Sequence, residues 1–511
     1  MDARLVEAFF AGLMSLLQWP TFGLLLLGIV IGFIVGMLPG LGGPVTLALM
    51  LPLTFDMQPV GAFAFLIGML SVTATTGDIT SILFGVPGEA TSAALVVDGH
   101  PLAKQGQAGR ALGAALMSSL IGAVVGAFAL ALSIPFVRPL VLSFGSPEFF
   151  MLSVLGISFV ASLSGGAAMK GLIAGGLGLM LSSIGRDPQS GIERFTFGSL
   201  YLWDGIGLVP LSVGLFAIPE IVDLALKGNS IAQQPLGKLG GVMQGVGDTF
   251  RHIWLTLRCS LVGTFLGLIP GLGGSVAQWL AYSHAVQSTR DKSRFGKGAI
   301  QGVLGPGAAN NSKEGASLIP TIAFGIPGGL NTAILLGAFM LHGLVPGPSM
   351  LTTHLNLTMS FVWMVVIANI ITVAVCFMFV GQLARLTAIR AGLLIPCIIL
   401  LVYIGAFAEN NKVLDLPMTL LFGALGLLMV RLGWPRPPLV LGLVLGTLAE
   451  NYLYLSTNRY GAEWLARPIV IVLIAVLVAS LTIPLLRRAL ARRTAGSPVV
   501  SATAAETPSH V

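Results

Sequence analysis

The chain has 511 residues, of which 55% are hydrophobic and only 9% charged, and its formal net charge is +7. Soluble domains carry about 25% charged residues, so this composition excludes a soluble globular protein and points to a polytopic membrane protein. The apolar runs are long, as from Phe22 to Leu38 and from Ile469 to Leu486. That excludes a β-barrel, whose strands alternate in short segments. The Lys and Arg residues lie in short loops between apolar segments, so the positive balance reports membrane topology and not nucleic-acid binding.

Residues 1–19 predict an amphipathic N-terminal helix. Its start holds Asp2, Arg4 and Glu7, and its apolar run ends at Trp19-Pro20 with no small-residue cleavage pattern, so no removable signal peptide is expected. Residues 20–226 read as a first membrane repeat. The first full span runs into Gly36-Met37-Leu38-Pro39-Gly40-Leu41-Gly42-Gly43, where a Pro and several Gly cannot continue a regular helix. A helix from about Val60 to Val72 then meets a polar run, Thr73 to Asp78. A second break follows at Phe84-Gly85-Val86-Pro87-Gly88-Glu89-Ala90-Thr91-Ser92. Further spans are expected near 111–133, 148–164, 171–185 and 205–226.

Residues 227–249 are polar and Gly-rich and read as a linker. Residues 250–486 replay the first half and add a final helix; 487–511 form a basic and then disordered cytoplasmic tail. The replay is specific. Gly267-Leu268-Ile269-Pro270-Gly271-Leu272-Gly273-Gly274 repeats the first break, and the polar run Ala309 to Gly315 follows it. Phe324-Gly325-Ile326-Pro327-Gly328-Gly329-Leu330-Asn331-Thr332 then aligns without gaps on Phe84 to Ser92. Later spans are expected near 355–380, 392–408, 416–431, 438–455 and 468–486.

Equivalent loops differ in charge. Residues 54–59 carry no Lys or Arg, whereas their counterpart holds Arg290, Lys292, Arg294 and Lys297. Lys104 and Arg110 follow the second break of the first half, and Leu341 to Thr353 carries no charge. Positive loops stay inside, so equivalent loops face opposite sides. The expected fold is an all-α polytopic membrane protein with two inverted-topology repeats and re-entrant or discontinuous helices. The loop 186–194, expected outside, fits least well because it contains Arg186 and Arg194.

Broken backbone inside a bilayer survives only when buried in protein or lining a cavity. Two matched breaks per half therefore mark a candidate binding site. Helix starts carry partial positive charge and suit an anion, and Gly lets backbone approach a ligand closely. The candidate substrate-binding residues are Gly40, Gly42, Gly43, Gly85, Gly88, Thr91, Ser92, Gly271, Gly273, Gly274, Gly325, Gly328, Asn331 and Thr332. Asp78, Glu89, Asn310 and Asn311 are candidates for ion coupling, because ionisable and polar groups at membrane depth are costly. Glu89 serves equally well as a carboxylate satisfied by a helix start. Lys313 and Glu314 are adjacent and can pair with one another. Asn310, Asn311, Asn331 and Thr332 can equally be packing hydrogen bonds.

Cys259, Cys376 and Cys397 lie in apolar stretches without metal spacing and read as buried thiols. His100 and His342 read as loop or interface residues. No Ser/His/Asp set, zinc spacing or nucleotide loop is present; Gly40 to Gly43 lacks the Lys-Ser/Thr ending. Neither catalysis nor a cofactor is expected. An intramembrane, protease-like enzyme remains the alternative from another class, poorly supported by Asp78 alone, and a passive channel is the third reading.

Leu38-Pro39-Gly40-Leu41-Gly42, Gly85-Val86-Pro87-Gly88, Asp98-Gly99-His100-Pro101-Leu102-Ala103 and the run Leu318 to Gly328 resemble the large membrane subunit of the bacterial tripartite tricarboxylate transporters. The resemblance covers about residues 20 to 450. It implies a multi-pass secondary transporter of the bacterial inner membrane that imports tricarboxylates or related carboxylates. It further implies a small membrane subunit, a periplasmic solute-binding protein, and Na+ or H+ as coupling ion.

Overall fold

A computed structural model of the chain describes residues 3–36, 42–85, 87, 90–162, 168–187, 189–227, 240–270, 274–386, 391–408, 412–479 and 482. These residues are almost wholly helical. In chain order the first half comprises α1 (Ala3–Leu17), α2 (Thr21–Gly36), α3 (Gly43–Met50), α4 (Pro59–Phe84), α5 (Ala93–Leu102), α6 (Ala108–Leu142), α7 (Ser146–Ser162) and α8 (Ala168–Ser182). A two-residue pairing of β1 (Gly185–Arg186) with β2 (Glu193–Arg194) leads to α9 (Leu208–Lys227). The second half comprises α10 (Val242–Arg251), α11 (Ile253–Leu268), α12 (Gly274–Ser288), α13 (Gln301–Phe324), α14 (Leu330–Leu341), α15 (Leu355–Leu386), α16 (Ala391–Ala408), α17 (Asp415–Arg431) and α18 (Pro437–Tyr460). A last apolar helix, α19, spans Pro468–Ala479.

Among the described residues four helical stretches are long and apolar enough to cross a membrane, and α1 and α2 form a further pair bent by 70°. The shorter apolar helices include α11, α14 and the stretch Gly43–Thr54. This is an all-α polytopic membrane protein.

The helices pack in matched sets. α2 lies against α4 as α11 lies against α13, α8 against α18 as α17 against α9, and α10 against α6 as α1 against α15. The last two sets exchange partners between the halves, so neither half has a complete core alone. Small residues permit this contact. A Cβ at Gly122 or Gly126 of α6 would come within 2.0 or 2.3 Å of a carbonyl oxygen of α13, so the two backbones touch, as small residues allow in membrane bundles.

α4 and α13 run through the middle. Both are rich in Thr, Ser or Asn, and almost every described residue of both is buried. Polar groups at membrane depth turn towards the protein interior because lipid cannot satisfy them.

The polar runs are not breaks, contrary to the expectation that a helix ends near Val72. α4 continues unbroken from Pro59 to Phe84, and α13 carries Ala309 to Gly315 in its middle. The hydroxyls close onto their own helix. Thr73 donates to the Leu70 carbonyl at 3.0 Å, Thr75 to Ser71 at 3.1 Å, Thr76 to Val72 at 3.0 Å and Thr80 to Gly77 at 3.0 Å. Such back-bonding satisfies a buried hydroxyl without unwinding the backbone.

Candidate functional site

Four half-length helices begin in the interior: α3, α5, α12 and α14. α2 ends at Gly36 and α3 starts at Gly43; α11 ends at Leu268 and α12 starts at Gly274. The turns between them, 37–41 and 271–273, lie outside the described residues, and Gly40, Gly271 and Gly273 with them. Gly88 and Glu89 lie outside as well.

Contacts at the helix ends place the four. The Thr54 hydroxyl beyond α3 lies 3.3 Å from His342 Nε2 beyond α14. The Gln105 amide beyond α5 donates to the Lys297 carbonyl beyond α12 at 2.7 Å. α4 starts beside the first pair and ends beside the loop of the second, where His100 Nδ1 lies 3.2 Å from the Ile82 carbonyl. Its 26 residues span about 39 Å at 1.5 Å per residue. α3 and α14 therefore end at one face, and α5 and α12 end at the other.

Their starts meet in the middle. A Cβ on Gly43 would lie 2.9 Å from Asn331 Oδ1 and 3.2 Å from Thr73 Oγ1. A Cβ on Gly274 would lie 2.6 Å from Thr91 Cγ2 and 3.7 Å from Lys313 Nζ. The register that sets Phe84 on Phe324 also sets Thr73 on Lys313 and Thr91 on Asn331. One trio thus occurs twice. Each combines a glycine at a half-helix start, a side chain from the long helix of the same half, and a side chain from a helix start of the other half.

The two trios differ in charge. Lys313 takes the place of Thr73, and its ammonium binds Glu314 Oε1 at 2.8 Å, with side chains only 4% and 11% exposed. Asn331 Nδ2 donates to the same oxygen at 3.3 Å. Among the described residues Glu314 is the only hydrogen-bonding partner of Lys313. A Cβ on Gly329 would lie 3.1 Å from Lys313 Nζ, so this glycine leaves the ammonium room. A buried pair persists only when neighbouring groups offset the loss of water. A carboxylate placed here would meet one fixed cation and the partial positive charge of helix starts.

Below this centre α4 and α13 interlock. Asn310 Nδ2 donates to the Ala74 carbonyl at 3.0 Å and to Asp78 Oδ1 at 3.2 Å. Asn311 Nδ2 donates to Thr75 Oγ1 at 3.0 Å and to Asn369 Oδ1 of α15 at 2.7 Å. Ser81 Oγ donates to Ser92 Oγ at 2.8 Å. Asp78, Asn310 and Asn311 thus fall in one polar seam.

Other candidates take local roles. Gly42 is the residue before α3, and its carbonyl accepts from Thr46. The Thr332 hydroxyl accepts from the Gly329 N–H at 2.9 Å and caps α14. Gly328 meets Ser317, its Cβ position 2.6 Å from that side chain. Gly85 and Gly325 end α4 and α13 in left-handed conformation, φ +70° and +67°, the usual use of glycine after a helix. They lie against His100 and Pro346, away from the trios. Ser71, Thr73, Thr75, Glu314 and Asn369 were missed as site residues. For Asn369 the signal was a lone amide inside an apolar span.

Two larger cavities lie elsewhere. One of about 430 Å³ opens beside β1 and β2, where the Arg186 guanidinium stacks on Trp203 at 4.1 Å and Arg194 pairs with Glu450. Another, of about 490 Å³, is lined chiefly by apolar residues of α7, α8 and α18. Neither touches the trios, whose chemistry is the more specific.

Apolar spans enclosing half-length helices that start at a buried charge define a polytopic membrane protein with a polar interior, the architecture of a membrane transport protein. The sequence model of the tripartite tricarboxylate transporter TctA family matches residues 22–441, and the chain belongs to that family: it is a membrane subunit of tricarboxylate transport. It is 33% identical over 462 residues to an uncharacterized 52.8 kDa protein in the TAR-I ttuC' 3' region of Agrobacterium vitis, covering 90% of this chain and 92% of the relative. It is 35% identical over 191 residues to an uncharacterized protein in the TAR-II ttuC' 3' region of the same organism, covering 37% of this chain and 79% of the relative. No solved structure matches it.

Proposed function

We propose that the chain is the substrate-translocating subunit of an ion-driven importer of tricarboxylates or related carboxylates in the bacterial inner membrane. It works with a small membrane subunit and a periplasmic solute-binding protein, and its halves are inverted-topology repeats that alternate access to a central site. The observation that carries this reading is the crossed pair of trios around Lys313. Each half lends a glycine-fronted helix start to the other, so a ligand held there contacts both halves and senses their relative position. The coincidence of the ends of α3 and α14 at one face, and of α5 and α12 at the other, supports the inverted arrangement.

In this mechanism the substrate carboxylate competes with Glu314 for the Lys313 ammonium. Backbone N–H groups at the four helix starts, with Thr73, Thr91 and Asn331, hold the remaining charge. Reconstitution of the complete assembly in proteoliposomes tests this. Labelled citrate and other di- and tricarboxylates should accumulate against their gradient, and accumulation should stop when the ion gradients are collapsed. Uptake that only equilibrates would make the protein a channel, and no uptake of any carboxylate would remove the reading.

A further inference from the structure

Glu314 faces two ways. Its Oε1 is occupied by Lys313 and Asn331, while its Oε2 is buried and has no hydrogen-bond partner among the described residues. Glu314 also lines a small cavity, with about 10 Å³ open to the centre of a water-sized sphere, together with Ser71, Asn311 and Asn369 and the apolar Ile67, Leu70, Leu318 and Val365. That is room for one water-sized occupant.

The polarity of the lining follows from the hydrogen bonds around it. The Thr75 hydroxyl donates to the Ser71 carbonyl, so it can only accept from Asn311. The Asn369 amide donates to the Val365 carbonyl at 2.8 Å, so its oxygen must accept from Asn311. Both bonds consume the NH2 group of Asn311 and fix its amide orientation. Its Oδ1, on a side chain 1% exposed, is left as a buried acceptor without a partner among the described residues. Asn311 and Glu314, each carrying a lone buried acceptor, both line this small space, and Ser71 and Asn369 line it with them. A buried oxygen with no donor costs free energy, and small hard cations are bound by such shells of carboxylate, amide and hydroxyl oxygens.

We propose that this cavity between α4, α13 and α15 is a Na+ site, with Glu314 and Asn311 as principal ligands and Ser71 and Asn369 completing it. The inference rests on the proposed carboxylate site and explains how the two ligands are coupled. While Lys313 neutralises Glu314, the cavity holds little net charge and binds Na+ weakly. When a substrate carboxylate takes the Lys313 ammonium, Glu314 is left with a bare charge, and Na+ on its far side neutralises it. Anion and cation thus occupy opposite sides of one ion pair, and each raises the affinity of the other, as linkage requires.

The test uses the full chain purified in detergent, without partner subunits or substrate. Thermal unfolding is followed against NaCl, with KCl and choline chloride at equal ionic strength, and binding of labelled 22Na+ is measured directly. The expected result is a saturable, Na+-specific rise in Tm that is lost in Asn311→Ala and in Glu314→Gln. Lys313→Ala, which bares Glu314, should instead tighten Na+ binding on the order of tenfold or more; a merely structural lysine would weaken it. Equal Tm in the three salts with no 22Na+ binding, as for a cavity holding only water, overturns the proposal. So does Na+ binding that survives both ligand substitutions or weakens in Lys313→Ala. Carboxylate accumulation driven by a proton gradient alone would remove the Na+ site and leave the transport reading standing.

Discussion

Gly43 of the first half lies so close to Asn331 of the second that a Cβ would sit 2.9 Å from its side-chain oxygen. Gly274 stands in the same relation to Thr91, at 2.6 Å. Any larger residue at either glycine fills the junction where the half-helices start. Gly43→Val and Gly274→Val should each abolish carboxylate uptake in proteoliposomes while the protein still assembles in the membrane. Gly247→Ala in α10, where a Cβ meets nothing within 4 Å, should leave uptake unchanged. Gly328→Val is a less clean probe, because its side chain would push on Ser317 and on the Gly267 carbonyl of α11, a packing contact rather than the junction.

The Lys313–Glu314 pair separates stability from binding. Lys313→Ala strips a buried carboxylate of its main partner and should cost about 3–5 kcal/mol of unfolding free energy at low Na+. Adding Glu314→Gln removes the orphaned charge and should recover most of that loss. If Lys313 contacts substrate, the double variant should stay unable to bind carboxylate despite its restored stability. Recovery of binding along with stability would make the lysine purely structural. Asn331→Ala removes one hydrogen bond to the pair, worth about 1 kcal/mol, and should weaken substrate binding roughly fivefold to tenfold.

Much of this centre was legible because the chain is duplicated. The gap-free match of Phe84 to Ser92 with Phe324 to Thr332 sets Thr91 on Asn331, and extending the same register into the long helices sets Thr73 on Lys313; the contacts of Gly43 and Gly274 follow it. The polar run from Thr73 to Asp78 was placed beyond a helix end because composition does not reveal that Thr75 and Thr76 bond back to their own helix. Gly85 and Gly325 were grouped with the helix starts, yet they close the helices before them, and the next helical turns begin only at Ala90 and Leu330. Asn369 left only a weak signal, an amide in the middle of a mostly apolar span; it lies far along the sequence from Asn311, and only packing brings the two together.

Asp98 clamps the halves at one face. It is fully buried, its Oδ1 accepts from the backbone N–H groups of Gly298 and Ala299 at 2.9 Å each, and its Oδ2 accepts from the Tyr282 hydroxyl at 3.0 Å. Gly302 makes room for it, since a Cβ there would lie 2.0 Å from Oδ2. Asp98→Ala leaves two buried N–H groups without an acceptor and should destabilise the protein by about 2–5 kcal/mol in detergent unfolding. Asp98→Asn keeps an acceptor for both and should cost clearly less. Tyr282→Phe should cost about 1 kcal/mol. Equal Tm for Asp98→Ala and the parent would dissolve the clamp.

The arrangement of the half-helices has a consequence for sidedness. Thr54 meets His342, and Gln105 meets Lys297, so each face is built from non-equivalent loops of the two halves. The face of Lys297 also carries Lys104, Arg110, Arg290, Lys292 and Arg294, the charge expected on the cytoplasmic side. Single cysteines at Met57 and Ser349, in a background without Cys259, Cys376 and Cys397, should therefore react with a membrane-impermeant maleimide added to intact spheroplasts. Cysteines at Gln107 and Ser293 should react only after the membrane is opened. Met57 and Ser293 follow equivalent helices, α3 and α12, so labelling of both from one side would rule out inverted repeats. Labelling of Met57 without Ser349 would contradict the shared face of α3 and α14.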